Sequence, residues 1–204
     1  SLMPWYPRSQ SSCAGMRSFA LILSITAPAP PATAADVPAV REMMIRIFDL
    51  DFGYGYKPEY HGDVDDMQGT YIDNPRHMLL VAIDDATGAV AATAGVRSGG
   101  LKPAFNHAWL VARYDPERTA QLVRVYVARE YRRHGLARRL VDEATRFVAA
   151  TPGYDTLSLH TDPRSPGAEA FWRAMPTRLI LADREGPSES LHFEMDIPRG
   201  EGES

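Results

Sequence analysis

Residues 121–137, QLVRVYVAREYRRHGLA, contain the pattern that decides the fold. Their first part, Gln121–Val127, predicts a β-strand. A helix is predicted next, over Gly135–Ala150, because apolar residues recur there on one helical face; they are Leu136, Leu140, Val141, Ala144, Phe147 and Val148. The stretch therefore combines a strand, a short turn and an amphipathic helix.

The turn itself, Arg132–Ala137, has the form R-x-x-G-x-A. A helix that begins here presents unpaired backbone N–H groups and the positive end of its dipole, which suits a pyrophosphate. Gly135 lets the backbone approach such a group closely, and the small Ala137 leaves the next turn open. The alternative is a β–α turn whose glycine only relieves the backbone, and the pattern alone does not separate the two.

The first half of the chain predicts a helix followed by a hairpin. Apolar spacing over residues 37–48 predicts the helix, which Asp36 can cap, and a second, short helix is predicted within Val64–Ile72. Strand-like runs at Met78–Ile83 and Ala89–Val96 flank a turn in which Gly88 takes a positive φ.

A long, site-forming loop is predicted over Ser98–Arg118. Beyond the decisive stretch, Gly167–Met175 predicts a short helix, and three further strands are predicted at Thr156–Thr161, Arg178–Leu181 and Leu191–Asp196. No internal repeat is found. The whole pattern predicts one α/β domain with a mixed sheet.

Composition excludes several classes of protein. With 204 residues, 45% of them hydrophobic and 24% charged, the chain has the balance of one globular domain. Its net charge of −4 argues against a nucleic-acid partner. A single cysteine, Cys13, forms no internal disulfide or cysteine-based zinc site, and we expect no metal. No apolar run approaches the ~20 residues that a membrane span requires.

Two terminal segments are expected to lie outside the domain, which we place at residues 18–197. Residues 1–17 are interpreted as an extension with a tag remnant, and residues 198–204 as a disordered tail. Residues 3–35 allow two interpretations. They have the outline of a secretory signal, with arginines before an apolar run and a small-residue site, or they contain a first strand over Ser18–Thr26.

The decisive stretch resembles the GCN5-related N-acetyltransferases (GNAT), where R/Q-x-x-G-x-G/A after the fourth strand holds the pyrophosphate of acetyl-CoA. The hairpin over 78–96 resembles the family's second and third strands, and Leu157–Pro163 with Ala168–Trp172 its fifth strand and fourth helix. The resemblance extends over residues 18–196. It implies the GNAT fold, an α/β (α+β) domain with a mostly antiparallel sheet of about seven strands flanked by helices.

This resemblance also favours a first strand over a secretory signal. Cleavage near Ala34 would remove that strand and export the protein away from acetyl-CoA. We therefore expect a cytoplasmic protein.

The resemblance further implies which residues bind acetyl-CoA. Backbone groups of Val125 and Val127 would meet the pantetheine arm where the fourth strand splays from the fifth, and N–H groups of residues 134–138 would meet the pyrophosphate. Arginine side chains would add charge, although Arg138 is as well explained by a solvated basic face. The implied set is Val125, Tyr126, Val127, Arg132, Arg133, His134, Gly135, Leu136, Ala137, Arg138, Ser165, Phe171 and Trp172.

Three positions depart from the family pattern. Ser165 stands where the family commonly has Asn, Phe171-Trp172 where it often has Phe-Tyr, and Pro176-Thr177 where it often has Gly-Phe. That Tyr is the usual proton donor to the departing CoA thiolate, and an indole N–H is far too weak an acid to replace it. We expect Trp172 to pack against the cofactor or the core, and water to protonate a thiolate whose thiol has a pKa near 8.5.

The general base is left open by the sequence. An amine with a pKa near 10.4 must lose a proton before it attacks. The family often uses a Glu on its fourth strand, but Gln121 stands at the comparable place and cannot titrate. His160, His107 and Glu59 are candidates, although a single strand histidine is often structural. Tyr126 can line the acceptor side or pack in the core.

The family walls its acceptor side with segments that correspond here to Phe48–Tyr71 and Leu101–Tyr114. The first wall is acidic and aromatic, which favours a cationic amine. The alternative is a solvated acidic surface with core aromatics. The residues concerned are Asp49, Asp51, Phe52, Tyr54, Tyr56, Glu59, Tyr60, Asp63, Asp65, Asp66, Tyr71 and Asp73.

These interpretations together predict an acetyl-CoA-dependent N-acetyltransferase that needs no metal. A small-molecule or peptide amine would attack the thioester directly in a ternary complex, with the Val125 N–H polarising the thioester oxygen. We expect neither a nucleic-acid nor a membrane partner, and the chain is compatible with a homodimer. The main alternative is a catalytically quiet acyl-CoA-binding or sensing domain, motivated by the missing Tyr and Glu. A secreted binding protein is a third.

Overall fold

The computed structural model describes residues 29–185 and 189–198. The predictions for the N-terminal extension, for the signal or first strand at residues 18–26, and for residues 199–204 of the tail lie outside the described residues.

Helices and strands follow the predicted order, with one additional helix in the long loop. The α-helices are α1 (Val37–Leu50), α2 (Gly62–Asp65), α3 (Ala108–Arg113), α4 (Leu136–Ala150) and α5 (Ala168–Arg173). The strands are β1 (Met78–Ile83), β2 (Val90–Ser98), β3 (Thr119–Val127), β4 (Thr156–Thr161), β5 (Thr177–Ala182) and β6 (Leu191–Met195). A π-helical turn spans Gln68–Ile72, and 3₁₀ turns span Pro103–Phe105 and Arg129–Tyr131.

The described strands form one six-stranded sheet in the order β1-β2-β3-β4-β6-β5. Every neighbouring pair is antiparallel except β3 and β4, which are parallel. This arrangement confirms the predicted mixed, mostly antiparallel sheet. The sequence predicts about seven strands, and the first of them falls outside the described part of the chain. Pro31 forms an isolated antiparallel bridge with Leu80, along the outer edge of β1.

Helices α3 and α4 cover opposite faces of the sheet. Met195 of β6 faces α4, and its Sδ lies 3.2 Å from Thr145 Oγ1 of that helix. The adjacent Glu194 accepts a 2.6 Å hydrogen bond from Arg113 Nε of α3. Because neighbouring strand residues point to opposite faces, these two contacts place α3 and α4 on different sides. Apolar residues of α4 and the strands form the main core.

Two local predictions about turns have different outcomes. Gly88 takes a φ of +73°, as predicted for the β1–β2 turn. Asp36 stands at the start of α1 but its side chain does not cap the helix. Its Oδ2 instead accepts hydrogen bonds from the backbone N and the Oγ1 of Thr33, at 2.7 and 2.8 Å. The carboxylate therefore closes the turn that precedes α1.

The long loop between β2 and β3 contains more regular structure than the sequence predicts. Helix α3 occupies its second half, and Leu110 of that helix is fully buried. Leu110 packs with Leu101 and Tyr114 in a second, small apolar cluster. The prediction of a long hairpin connection is correct, but the loop is folded against the sheet.

Candidate functional site

Strands β3 and β4 separate after a short stretch of pairing. Their register joins Thr119, Ala120 and Gln121 to residues 156–158 of β4. Beyond Gln121, β3 continues for six residues and β4 for three without pairing to each other. The parallel strands therefore leave an open gap at their carboxyl ends, in the place where the family resemblance implies a splay.

A β-bulge at Arg124 sets the direction of the backbone along this gap. The residue has a φ of +53°, and the β2–β3 register shifts beside it. Its carbonyl accepts a 2.8 Å hydrogen bond from Thr93 Oγ1. Further along, the N–H of Ala128 donates to the carbonyl of Ala91 on β2 at 2.9 Å. Because backbone direction alternates along a strand, Val125 and Val127 turn their N–H groups toward the gap.

The turn before α4 has free space beside Gly135. Gly135 has a φ of +75°, and a Cβ built on it would meet no atom within 4 Å. In the part of the chain that the structure describes, the N–H groups of Leu136, Ala137 and Arg138 have no backbone partner. Three unpaired donors, the helix dipole and free space make this helix start suitable for an anionic group.

The predicted phosphate-binding arginines do not all extend freely from this turn. Arg132 pairs with Asp51, and its Nε donates a 3.0 Å hydrogen bond to the carbonyl of Val127. Arg129 pairs with the same Asp51. Arg138 Nη2 donates to the carbonyl of Ala174 at 3.1 Å. The sequence analysis places Asp51 in the acidic acceptor wall but does not predict its pairing with Arg132, because the two residues are 81 positions apart.

Arg133 and His134 complete the predicted phosphate-binding set. Both are exposed, and Arg133 has a φ of +69°.

The remaining predicted cofactor residues lie around β4 and α5. Ser165 belongs to the turn between them, where its N–H donates to the carbonyl of Asp162 at 3.0 Å. Phe171 is half-buried, and its ring meets the Trp172 ring edge to face at 4.8 Å. Trp172 is 6% exposed and belongs to the main core. This burial agrees with the packing role expected for Trp172.

Aromatic rings from the end of α1 and from the segment after it pack on one side of β3. Phe52 lies 5.4 Å from the Tyr54 ring and 5.8 Å from the Tyr126 ring. Phe48 stacks on His61 at 3.9 Å. We call Phe48, Phe52, Tyr54, His61 and Tyr126 the aromatic wall. The Tyr126 ring therefore contacts rings of the predicted acceptor wall. This position is compatible with the first of its two predicted roles, which is to line the acceptor side.

His61 is a member of this wall that the sequence does not identify as important. Its side chain is buried, and its Nδ1 accepts a 2.9 Å hydrogen bond from the backbone N of Lys57. Desolvation and the nearby charge of Arg124 lower the pKa of His61. The neutral ring therefore acts as packing surface for Phe48.

A buried ion pair joins the aromatic wall to the β-bulge. Asp63 Oδ2 accepts hydrogen bonds from Arg124 Nε at 2.9 Å and from the Tyr71 hydroxyl at 2.5 Å. Arg124 Nη2 donates to Asp63 Oδ1 at 2.5 Å and to the carbonyl of Tyr60 at 3.0 Å. Burial by itself raises the pKa of Asp63, but the hydrogen bonds and charge of Arg124 outweigh it and lower the pKa to about 2.

The acidic residues of the predicted acceptor wall are called the acidic rim below. Several of them already bind other groups of the protein. Asp51 and Asp63 pair with arginines, as described above. Asp65 lies 3.4 Å from Arg41 and accepts a hydrogen bond from the Tyr56 hydroxyl. Asp66 Oδ1 accepts from the Gly69 N–H at 2.9 Å. Three of the seven acidic residues predicted there are therefore paired with arginines, which reduces the net negative charge of the rim.

Of the candidate bases, His160 lies on β4 just beyond the last residue that pairs with β3. It lies on β4 two residues beyond Ser158 and stacks on His192 at 5.6 Å between ring centroids. Its register partner His192 is two residues from Glu194, so His160 points to the face that α3 covers. His160 is exposed to solvent, but desolvation by the protein groups around it and the charges of Arg97 and Arg124 lower its pKa. The ring is therefore neutral near pH 7.

The other candidate bases have different surroundings. His107 Nε2 lies 2.9 Å from Asp183 Oδ2. Glu59 is exposed on the outer rim. The Tyr126 hydroxyl accepts a 3.3 Å hydrogen bond from Arg124 Nη1. Gln121, at the position of the family's Glu, is buried and donates through Nε2 to the carbonyl of Gly100 at 3.0 Å, which anchors the long loop.

A membrane-spanning helix and a metal-binding cluster are both absent from the described part of the chain. Within residues 29–185 and 189–198, no helix has the length and apolar character needed to cross a membrane. The histidine and acidic side chains in these same two ranges do not form a group able to hold a metal ion.

Comparisons with known proteins bear on the family and the fold. Residues 41–175 match the model of the acetyltransferase (GNAT) family. No curated protein matches the chain.

Solved structures resemble this chain over most of its length. A GNAT-family acetyltransferase from Staphylococcus aureus is 14% identical, with a TM-score of 0.65 and coverage of 86% of this chain and 100% of that chain. Arabidopsis thaliana NAA60 in complex with a bisubstrate analogue is 17% identical, with a TM-score of 0.58 and coverage of 84% and 97%.

Spermidine N-acetyltransferase from Vibrio cholerae, in complex with CoA and spermine, is 13% identical, with a TM-score of 0.54 and coverage of 83% and 93%. At these identities the likeness concerns the fold.

Proposed function

We propose, from the premise that this chain belongs to the GNAT acetyltransferase family, that it transfers an acetyl group from acetyl-CoA to a primary amine. The observation that carries the proposal is the gap between β3 and β4. It lies between the open helix start at Gly135 and the aromatic wall. One substrate can therefore enter from each side and meet the other at the gap.

The donor side fits acetyl-CoA in two respects. The N–H groups of residues 136–138 and the space in front of Gly135 suit a pyrophosphate. Val125 and Val127 offer strand N–H groups to the amides of the pantetheine arm. Arg133 and His134, both exposed, are free to reach phosphate groups. Arg132 would add its charge only on leaving Asp51.

The proposed reaction is direct attack by the amine in a ternary complex. A bond forms between the amine nitrogen and the acetyl carbon, the bond from that carbon to sulfur breaks, and CoA leaves as a thiolate. The Val125 N–H polarises the thioester oxygen. His160, directly or through water, takes the proton that the amine loses, because its lowered pKa keeps it neutral at pH 7. Water protonates the thiolate.

Acceptor charge is a finer part of the proposal. The acidic rim favours a cationic amine, and Asp49 and Glu59 are exposed carboxylates on that rim. Against this, Asp51, Asp63 and Asp65 are paired with arginines. The acceptor is a small molecule or a peptide amine, and a cytoplasmic location would supply the acetyl-CoA.

A catalytically quiet acyl-CoA-binding domain is the second candidate. Two substitutions favour it, namely Gln121 in place of a titratable Glu and the buried Trp172 in place of a Tyr acid. Binding of acetyl-CoA does not separate the two candidates, since both require it.

An amine panel separates them. CoA release from acetyl-CoA is followed with acidic, neutral and cationic primary amines, and the rate without amine is subtracted as thioesterase activity. The acetyltransferase proposal predicts amine-dependent release with at least one class. Tight binding of acetyl-CoA with no amine-dependent release across the panel would favour the quiet domain instead.

A further inference from the structure

Arg97, near the end of β2, lies at the end of the gap where β3 and β4 are still paired. It is on the face of the sheet that α3 covers, which we call the acceptor face. Its register partner on β3 is Gln121, which is the last residue of β3 that pairs with β4. Gln121 lies beside Ser158, and Ser158 is opposite Glu194. Residues in one such row share a face of the sheet. Arg97 therefore points to the same side as His160, which is two residues beyond Ser158.

The Arg97 guanidinium has no protein anion bound to it. Within residues 29–185 and 189–198 it forms neither a hydrogen bond nor an ion pair, and the residue is half-buried. Four other arginines are engaged by carboxylates: Arg124 with Asp63, Arg129 and Arg132 with Asp51, and Arg113 with Glu194. Partly burying a cation without a partner costs stability, so this position suggests a bound anion as its partner.

The charges immediately around Arg97 are positive, although the acidic rim of the acceptor side still carries the exposed carboxylates Asp49 and Glu59. Asp63 is within electrostatic range of both Arg97 and Arg124, and it is a single carboxylate already bound by Arg124 in two hydrogen bonds. His160 adds no negative charge. The other carboxylate on this face, Glu194, is bound by Arg113 and Arg178. Arg97 and Arg124 therefore share the single carboxylate of Asp63, and an anionic group of a substrate would supply a second.

We propose that Arg97 binds a carboxylate of the acceptor, so that the substrate is an amino acid or a related amine that carries a carboxylate near its amino group. The planar guanidinium presents paired N–H donors that match a carboxylate. With the carboxylate on Arg97, the amino group faces His160 and the gap, and the remainder of the substrate faces the aromatic wall. This inference rests on the proposed acetyltransferase function and assigns its acceptor class.

The test compares each amino acid with its own carboxamide. Wild type, Arg97→Gln and Arg97→Lys are assayed for kcat/KM with a series of amino acids, the matching carboxamides and simple alkyl amines, at saturating acetyl-CoA. A hydrogen-bonded charge contributes about 10- to 100-fold. We expect wild type to prefer the amino acid over its carboxamide by that factor, Arg97→Gln to lose the preference, and Arg97→Lys to recover part of it.

Arg146→Gln is the matched control. It removes the same charge from an exposed arginine on the outer side of α4 that makes no ion pair in the described chain. We expect this variant to retain the wild-type preference. Acetyl-CoA affinity and thermal unfolding of each variant are measured in parallel. Arg97→Gln should leave the affinity near wild type and should not lower the stability, because it breaks no contact and removes a partly buried charge.

Three outcomes would overturn the inference while leaving the acetyltransferase proposal intact. Wild type would acetylate amines without preferring the carboxylate; or Arg97→Gln would keep the preference; or Arg97→Gln would weaken acetyl-CoA binding as much as it lowers kcat/KM, which would assign Arg97 to the donor. Failure of wild type to acetylate any amine would instead contradict the proposed function itself.

Discussion

Replacement of Gly135 perturbs the proposed pyrophosphate site, and replacement of Gly88 provides a matched control. Its φ is +75°, and no atom lies within 4 Å of the place where a Cβ would be. Gly88, in the β1–β2 turn, has a φ of +73° and the same open surroundings. Gly135→Asp and Gly88→Asp therefore introduce the same side chain in nearly the same backbone conformation. A residue other than glycine in this conformation costs about 1–2 kcal/mol, so both variants should lose about that much stability.

Only Gly135→Asp should affect acetyl-CoA binding. Two unit charges about 4 Å apart interact by about 4 kcal/mol near a protein surface, and salt screens part of this repulsion. We expect about a 100-fold loss of affinity for Gly135→Asp, which corresponds to about 2.7 kcal/mol. Gly88→Asp should bind like wild type.

Calorimetric titration of acetyl-CoA into the three folded proteins measures this difference. Equal affinities for wild type and Gly135→Asp would refute the assignment of the turn. An equal loss in both variants would mean that general destabilisation, and not a local charge, weakens binding.

Three further predictions concern α5, the buried ion pair and the candidate base. Trp172→Phe should retain most of kcat, because Trp172 is a core residue; a fall of ~10²-fold in a folded variant would identify it as the acid. Asp63→Asn should destabilise the protein by about 3–5 kcal/mol in thermal unfolding, since it leaves Arg124 buried without its carboxylate. In wild type, the pKa of Asp63 falls from 3.8 to about 2 on folding. The stability that this shift contributes is present above pH 4 and is lost as the pH falls toward 2. Acid unfolding of both proteins measures this loss, and a wild type that loses no more stability than Asp63→Asn over that pH range would contradict the prediction. His160→Gln should lower kcat by ~10²-fold and remove the acidic limb of the wild-type pH–rate profile, a limb centred below pH 6.5; an unchanged profile would exclude His160.

The parts of the fold that the sequence predicts well depend on local patterns. The β1 strand has the predicted bounds, and α4 differs from its prediction by one residue at the start. Gly88 and Gly135 both take the positive φ that their turns require. In each case the deciding signal, an apolar period or a glycine between two elements, is contained within a few residues.

The parts that the sequence does not predict depend on contacts between distant residues. Arg124 and Asp63 are 61 positions apart, and each alone looks like a surface charge. The pairing of Asp51 with Arg129 and Arg132 is likewise long-range, and it explains why counting acidic residues overstates the charge of the rim. Asp36 is a local failure, because Thr33 offers its carboxylate two donors that compete with the helix start.

The central claim is that the chain acetylates nitrogen, and identification of the product tests it most directly. Acetyl-CoA labelled with ¹³C in its acetyl group is incubated with the best amine of the panel, and the product is identified by NMR and mass spectrometry. The account predicts one labelled acetamide on the amine for each CoA released. Labelled acetate in place of the amide, or an acetyl group on oxygen, would contradict it.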